Sequence, residues 1–337
     1  MRFSILIPVY NVEKYVKECI ESVLGQDYHD YEIVIIDDGS NDRSGDICDA
    51  YKKLHPDRIR VIHKQNAGLM AARQDGFKAA IGEYCICLDS DDFLSEHSLQ
   101  RLSKLIDDFN PDFILYDLFS YDDINKRSCR IESGVFENEK KYNNLQILKE
   151  SLLKQQYCNW SMCGKCIKRE LVSNNDLKRY FDVAYGEDTL QSVILYNKAR
   201  SFVYTRKQIY NYRMGSGMTK KFPLKYLKDF FSVTDYIREN CVKWSADIER
   251  DTCDYYAAIL FLFYKNVYET SQSYREVLSR INDIDFLDKK ELQSYFKRMK
   301  YGKRDKICLL FTKIGIYSIP YLYCRLKYTV FQQRHSC

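Results

Sequence analysis

Three carboxylates lie within four positions at Asp89, Asp91 and Asp92, directly after the short apolar segment 84–88. Carboxylates packed this closely repel one another, and a bound cation removes that repulsion. Oxygen ligands of this kind suit Mg²⁺ or Mn²⁺, particularly when a ligand supplies phosphate oxygens as well. The same acids also fit a solvated loop that caps the following helix. The motif alone favours that simpler interpretation, so the surrounding chain has to decide.

The first ninety or so residues alternate buried apolar strands with amphipathic helices. This alternation predicts βαβ units, a mostly parallel sheet and an α/β fold. All four strands end in polar, turn-forming residues, and in open α/β sheets the ligand binds beyond the strand carboxyl ends. We therefore predict the active site at that edge. The predicted strands are 3–9, 31–36, 59–62 and 84–88, and the helices between them are predicted at 12–24, 44–54 and 69–80.

The later chain is less regular. We predict helices at 99–109, 145–153 and 187–196, strands at 113–119, 202–204 and 208–212, and a polar hairpin at 122–139, while 160–172 is ambiguous. The segment from 222 onward is predicted to be helical, over 226–240, 248–268, 274–281 and 289–299. This gives an α/β domain at 1–221, with a first half at 1–92 and a second at 93–221, and a helical region at 222–337.

The composition describes an ordinary soluble protein with 29% charged and 45% hydrophobic residues and a net charge of +5. No basic-aromatic module indicates nucleic acid as a partner. The odd number of cysteines, 13, forms no framework and favours free thiols in a reducing compartment. The apolar run 307–324 contains Lys313 and Pro320 and makes a poor bilayer span. We expect a cytoplasmic protein with a peripheral contact on the inner face of the membrane.

Five motifs, each weak alone, resemble family 2 glycosyltransferases in their order and spacing. The resemblance covers roughly residues 1–220 and implies an inverting enzyme with a GT-A fold. The motifs are Pro8-Val-Tyr-Asn11, Asp37-Asp-Gly-Ser40, Asn66-Ala-Gly68 with Arg73, Asp89-Ser-Asp-Asp92, and Glu187-Asp188.

A nucleotide-sugar donor is implied by this resemblance. Tyr10 is expected to stack on the nucleobase, Asp37 or Asp38 to accept the imide N–H of uracil, and Arg73 to reach the base or a phosphate. Each of these residues also has a purely local interpretation as a strand end, a turn or a surface ion pair. Ala67, Met70 and Gln74 depart from the usual family pattern, which affects the identity of the donor. The expected donor-binding residues are Pro8, Val9, Tyr10, Asp37, Asp38, Asn66, Arg73, Asp89, Ser90, Arg213, Ser216 and Lys220.

The catalytic role implied for Asp188 is general base toward the acceptor hydroxyl, with Glu187 orienting it or contacting the acceptor. Helix capping by these two acids is compatible with that role. Asp91 is the expected direct ligand of Mn²⁺ or Mg²⁺, with Asp89 as a second ligand or nearer the ribose. Trp160 and Lys165 are expected to contact the acceptor, although Trp160 could equally be a core residue.

The basic and aromatic tail at 297–334 fits an anionic membrane surface or a helical bundle, and could join copies of the chain. The predicted function is transfer of a hexose or N-acetylhexosamine from a UDP donor to a glycan or lipid-linked glycan in surface polysaccharide assembly. The alternatives are a nucleotidyltransferase that makes a nucleotide sugar, and an inactive membrane-docked scaffold. The absence of a Gly-rich basic loop after the first strand counts against the nucleotidyltransferase.

Overall fold

A computed structural model of the chain describes residues 1–173, 177–214, 222–282 and 318–320. By its internal contacts the chain divides into two compact units, Met1–Ser216 and Gly217–Cys337. In the described ranges, no helix combines the length and the apolar character that crossing a bilayer needs. Ser216, Lys220, the helix predicted at 289–299 and nearly all of the basic tail lie outside the described residues.

The first unit is built on one mixed sheet. Its strands are β1 (Phe3–Val9), β2 (Tyr31–Asp37), β3 (Ile59–His63), β4 (Tyr84–Cys87), β5 (Phe93–Leu94), β6 (Phe113–Asp122), β7 (Arg127–Ile131), β8 (Lys140–Tyr142), β9 (Lys165–Lys168) and β10 (Phe202–Arg213). The strand order is β3-β2-β1-β4-β9-β6-β10-β5, with β7 paired to β6 and β8 to β10.

The parallel part of the sheet brings the strand carboxyl ends together. β1 pairs with β2 from Phe3 opposite Tyr31 to Val9 opposite Asp37, and with β4 starting from Phe3 opposite Tyr84. Every residue of β1, β2 and β4 is buried, as expected of apolar strands that are covered on both faces. The predicted parallel sheet is confirmed, and the turn after β4 lies beside the turns after β1 and β2.

Helices connect these strands at close to the predicted positions. One difference concerns α1, which begins at Val16, four residues after the start of the predicted stripe; before it, the backbone N–H of Val12 donates to the Ser44 hydroxyl at 2.9 Å. The helices of the first unit are α1 (Val16–Leu24), α2 (Ser44–Leu54), α3 (Leu69–Ala79), α4 (Ser98–Phe109), α5 (Gln146–Leu153) and α6 (Glu187–Lys198).

Two strands differ from the prediction. The ambiguous segment 160–172 contains β9, which runs antiparallel between β4 and β6 and so ends the parallel part of the sheet. The two strands predicted at 202–204 and 208–212 are one strand, β10, whose pairing with β6 shifts register between Thr205 and Tyr210. The polar residues at this irregularity interrupt the alternation, which is why the sequence indicated two strands.

The second unit is helical where it is described, which confirms the predicted class of the C-terminal region. Its helices are α7 (Leu224–Asn240), α8 (Ile248–Thr270) and α9 (Tyr274–Asn282). Helix α7 packs on α8 through aromatic pairs, among them Phe231 and Tyr256 with ring centroids 5.5 Å apart. Asp247 caps α8 by accepting the backbone N–H of Arg250 at 3.2 Å.

Candidate active site

The acidic turn after β4 is anchored by its last member. Asp92 is buried, and its carboxylate accepts from the Tyr210 hydroxyl at 2.6 Å and from the backbone N–H of Arg213 at 2.7 Å. Burial, together with the charges of Asp89 and Asp91, raises the pKa of Asp92 to about 8, against the opposing effect of the Tyr210 hydrogen bond. Asp92 therefore fixes the turn to β10, while Asp89 and Asp91 stay partly exposed.

The guanidinium of Arg73, on α3, joins the acidic turn to the start of α6. Arg73 is only 1% exposed; its Nη2 donates to Asp89 Oδ1 at 2.9 Å and its Nη1 to Asp188 Oδ1. The second Asp89 oxygen accepts from the Cys163 thiol at 3.2 Å. The structure thus brings Asp89 and Asp188 together, as the motif analysis requires. It directs Arg73 at these two carboxylates rather than into the open crevice, and contact with the donor stays a prediction.

The pair Glu187-Asp188 opens α6. Gly186 precedes it with φ at +84°, a left-handed conformation that disfavours any side chain, and this sharp turn brings both acids to the helix N-terminus. Burial and the neighbouring charge of Asp188 raise the pKa of Glu187 to about 8, although Arg73 opposes the shift. Within the described part of the chain, Asp188 Oδ2 has no hydrogen-bond donor. One carboxylate oxygen of Asp188 is thus held and the other is available.

The two acids after β2 are both buried and both engaged. Asp37 accepts from the backbone N–H of Ser40 at 3.0 Å and lies 2.8 Å from His63 Nδ1, and Asp38 accepts from the backbone N–H groups of Ala67 and Gly68 at 3.0 and 2.8 Å. Burial alone would raise the pKa of Asp37, but the hydrogen bonds from Ser40 and His63 outweigh it and lower that pKa. These contacts shape the turn after β2 and the loop before α3.

Among the other predicted donor residues, exposure separates those that face the crevice from those that support it. Tyr10, 47% exposed, and Asn66 lie at the surface of the sheet edge, whereas Pro8, Val9 and Ser90 are buried. Pro8 and Val9 belong to β1, where they pair with β2, and they directly precede Tyr10 in the chain. Of these five residues, Tyr10 and Asn66 are the ones that a ligand can reach directly.

Arg213 is not directed at the crevice. It is buried, its Nη2 donates to Glu18 at 2.7 Å, and its Nη1 pairs with Asp123. Its guanidinium carbon also lies 5.1 Å from the ring centroid of Tyr15 and 5.3 Å from that of Phe93. Arg213 ties α1 to the end of β10 in the described structure, and its predicted phosphate contact stays a prediction.

Sequence reasoning missed Tyr212. Its side chain is 39% exposed; burial of its hydroxyl and then the charges of Asp92, Asp91 and Asp89 raise the pKa of Tyr212 to about 12, so the phenol lies near the acidic turn. The signal was present in the sequence. Residues two apart share a face of a strand, and Tyr210 on the same strand touches Asp92.

The two predicted acceptor residues have different surroundings. Trp160 is 42% exposed and is the last residue of a short 3-10 turn at Cys158–Trp160. Lys165 is fully buried at the start of β9, and its ammonium donates to the backbone oxygen of Asn159 at 2.7 Å and to the Ser192 hydroxyl at 3.0 Å. Lys165 therefore supports the segment that carries Trp160 and has no surface to offer an acceptor.

A metal ion would need ligands from a donor as well as from the protein. In the part of the chain that the structure describes, no group of three or more His, Cys, Asp and Glu side chains is arranged to hold one. The donor set still fits a hard cation, because the partly exposed Asp91 lies with Asp89 and Asp92 in a turn of three carboxylates. Both oxygens of Asp89 already accept hydrogen bonds, from Arg73 and from the Cys163 thiol.

Comparison with known proteins identifies the family. Residues 4–162 match the family Glycosyl transferase family 2. This chain belongs to that family. The glycosyltransferase GlyG of Streptococcus pneumoniae serotype 4 is 29% identical over 256 residues, which are 73% of this chain and 82% of GlyG. The uncharacterized glycosyltransferase EpsJ of Bacillus subtilis is 31% identical over 233 residues, 67% of this chain and 65% of EpsJ.

Some relatives in glycosyl transferase family 2 are much longer than the region they share with this chain. The glycosyltransferase GlyA of Streptococcus pneumoniae is 30% identical over 64% of this chain, but the match spans only 31% of GlyA. Among solved structures, S. aureus TarS 1–349 superposes with a TM-score of 0.64 at 18% identity, covering 98% of this chain and 91% of TarS. That likeness confirms the GT-A-like fold predicted from the motifs.

Proposed function

We propose that this glycosyltransferase transfers a sugar from a UDP-sugar, a hexose or an N-acetylhexosamine, to a glycan or lipid-linked glycan of a surface polysaccharide. The observation that carries the proposal is the meeting of Asp89 and Asp188 on one guanidinium. This contact joins the edge of the sheet where the donor is proposed to bind to Asp188, whose second carboxylate oxygen is available. Two comparisons support the class of substrate: S. aureus TarS has been solved with UDP-GlcNAc and with UDP, and one relative is the minor teichoic acid biosynthesis protein GgaB of Bacillus subtilis.

In this proposal Asp188 is the general base. Its Oδ2 accepts the proton of the acceptor hydroxyl while the acceptor oxygen bonds to the anomeric carbon and the bond from that carbon to the nucleoside diphosphate breaks. A single displacement from the opposite face inverts the configuration at this carbon. Arg73 holds Oδ1, so that Oδ2 keeps a fixed direction toward the incoming hydroxyl. Glu187, which its raised pKa leaves mostly protonated near neutrality, can donate a hydrogen bond to the acceptor or to Asp188.

The remaining proposed contacts divide between the two substrates. Tyr10 stacks on the nucleobase, with Asp37, Asp38 and Asn66 forming the polar side of that slot. Asp91 would hold Mg²⁺ or Mn²⁺ when the donor is bound, and the cation would offset the negative charge of the leaving diphosphate. Trp160 offers an exposed aromatic face to an acceptor sugar.

A panel of nucleotide sugars tests this function. We expect UDP to raise the melting temperature in the presence of Mn²⁺, and one UDP-sugar to be hydrolysed slowly in the absence of acceptor. GDP, CDP and ADP serve as matched controls. Failure of every nucleoside diphosphate to stabilise the protein would refute the donor site, and stabilisation by GDP alone would correct the nucleotide.

A further inference from the structure

A buried lysine lies beneath the segment Cys158–Ser161, called here the tryptophan segment because it carries the exposed Trp160. Lys165 donates from its ammonium to the backbone oxygens of Asn159, at 2.7 Å, and of Ser161. Its third hydrogen bond goes to the Ser192 hydroxyl at 3.0 Å. An ammonium has three N–H groups, so every donor of this side chain is used.

Helix α6 holds the same segment from the other side. The Ser192 hydroxyl, which accepts from Lys165, donates to the backbone oxygen of Trp160 at 2.5 Å. The Tyr196 hydroxyl, one turn later, donates to the backbone oxygen of Asn159 at 2.6 Å. Three successive carbonyls of the tryptophan segment are therefore held by side chains of β9 and α6, and α6 is the helix that begins with Glu187-Asp188.

We propose that Lys165 is a positioning residue that fixes the tryptophan segment to α6, and so sets the position of an acceptor sugar on Trp160 relative to the base Asp188. This inference rests on the proposed function, which assigns Trp160 to the acceptor and Asp188 to catalysis. The class of ligand is a pyranose ring, because an exposed indole at a polar site offers a flat apolar surface with a polar edge. Lys165 itself touches neither substrate.

The free-energy cost of burying a charge indicates that Lys165 has a specific structural role. A buried ammonium costs free energy unless all its hydrogen bonds are made, and a methionine of similar length would fill the space without that cost. A methionine could not hold two carbonyls and a hydroxyl at once. The side chain therefore contributes a defined backbone geometry to the tryptophan segment, which an apolar residue would leave free to shift.

The charge of Lys165 also makes the arrangement sensitive to pH. Burial lowers the pKa of Lys165 to about 8, opposed by the charge of Asp188. The neighbouring Cys87 and Cys158 thiols have pKa values raised to about 12, and burial raises those of Cys163 and Tyr196 well above their usual range. Near pH 8, Glu187 beside Asp188 and Asp92 in the acidic turn also titrate, so each needs its own control.

Trp160 itself is the reporter for the test. The chain has two tryptophans, and the second, Trp244, is buried in the other unit, so Trp244→Phe leaves the fluorescence of Trp160 alone. In this background we expect the anisotropy of Trp160 to fall with a midpoint near pH 8 as Lys165 loses its proton. Lys165→Met should give the low anisotropy at every pH and remove the transition. Ser192→Ala removes one hydrogen bond and should give a smaller loss in the same direction.

Control variants test whether the change in Trp160 anisotropy comes from Lys165. Lys168→Met, on the same strand with a partly exposed side chain, should leave anisotropy and transition unchanged. Glu187→Gln and Asp92→Asn should each keep the transition if Lys165 is its source. The proposal is overturned if Lys165→Met keeps the transition, or if its Trp160 anisotropy equals that of the parent. Should Lys165→Met fail to fold, Ser192→Ala decides, because an unchanged Trp160 anisotropy in that variant contradicts the proposal.

UDP binding separates this inference from the proposed function. We expect Mn²⁺-dependent stabilisation by UDP to be the same in Lys165→Met and in the parent, because no described contact links Lys165 to the donor edge. If the parent shows no UDP effect, the proposed donor fails while the fluorescence result still stands. If UDP binding is lost only in Lys165→Met, the lysine acts on the donor side and the positioning role is wrong.

Discussion

Asp89 and Asp188 share the two terminal nitrogens of one buried guanidinium, that of Arg73. Asp89 directly follows β4 and Asp188 lies at the start of α6, so the contact joins the first half of the domain, 1–92, to the second, 93–221. It also explains why a polar side chain on α3 is almost completely buried. An arginine suits this position better than a lysine because its planar fork can serve two carboxylates at once.

Arg73→Met should destabilise the protein and reduce transfer. Removing one member of a buried charge network leaves the others uncompensated, and we expect a loss of about 3 kcal/mol in the free energy of unfolding, at the low end for such pairs because both acids are partly exposed. Arg73→Lys should recover part of the stability but little of the activity. Urea denaturation measures the first effect, and Lys17→Met, in an exposed pair with Glu21, is the control at well under about 1 kcal/mol.

Asp188→Asn should abolish transfer while UDP still binds. Loss of a positioned base costs about 10²- to 10⁴-fold in rate, and the amide keeps the size of the side chain and an oxygen for Arg73. Initial rates with the UDP-sugar found in the panel give the comparison. Asp182→Asn, at an exposed acid before α6, should transfer at the parental rate. Transfer by Asp188→Asn at that same rate would show that another group takes the proton.

The raised pKa of Glu187 predicts how stability changes with pH. The folded carboxyl holds its proton up to about pH 8 whereas the unfolded one releases it near pH 4.5, so the folded state binds more protons between these values. Stability is therefore lost as pH rises through this window, with a slope approaching about 1.4 kcal/mol per pH unit for one proton. Glu187→Gln should reduce the slope measured by urea denaturation between pH 5 and 8. An unchanged slope would mean that Glu187 is ionised in the folded protein.

Asp91→Asn should weaken the effect of metal on UDP binding. We expect UDP to stabilise this variant equally with and without Mn²⁺, because the proposed protein ligand is gone while the nucleobase slot at Tyr10 is intact. Thermal shift assays with UDP and either Mn²⁺ or a chelator measure the difference. Asp46→Asn, at an exposed acid on α2, should behave like the parent. If Mn²⁺ still increases stabilisation in Asp91→Asn, the ion is held elsewhere.

The sequence predicted the parallel half of the sheet closely because its signals are local. β1 and α2 have the predicted bounds, because the apolar run of a buried strand and the apolar periodicity of a helix are both visible within one short segment of sequence. The strand β9 was missed because its four residues mix Lys with Cys and Ile, and only its neighbours β4 and β6 make it a strand. Tertiary pairing decided the structure there.

The site could be predicted as a set of residues but not as a set of contacts. The family resemblance assigned Asp89 and Asp188 to one active site, and the structure brings them together. No pattern in the sequence indicated that Lys165 would be buried, because lysines are mostly exposed in folded proteins and the Gly-Lys-Cys segment that contains it gives no contrary signal. Its burial depends on carbonyls that face it from a separate turn and on a hydroxyl from α6.

The anchoring of Asp92 by Tyr210 has a consequence for how the chain is made. Strands β1, β2 and β4 pair with near neighbours, but β4 has an unpaired edge until β9 has been synthesised, and the acidic turn is not anchored until β10 arrives. At typical synthesis rates of about 5–20 residues per second, that edge remains open for several seconds. The nascent chain therefore passes through an interval in which a hydrophobic strand can template aggregation, and chaperone binding would be most useful then.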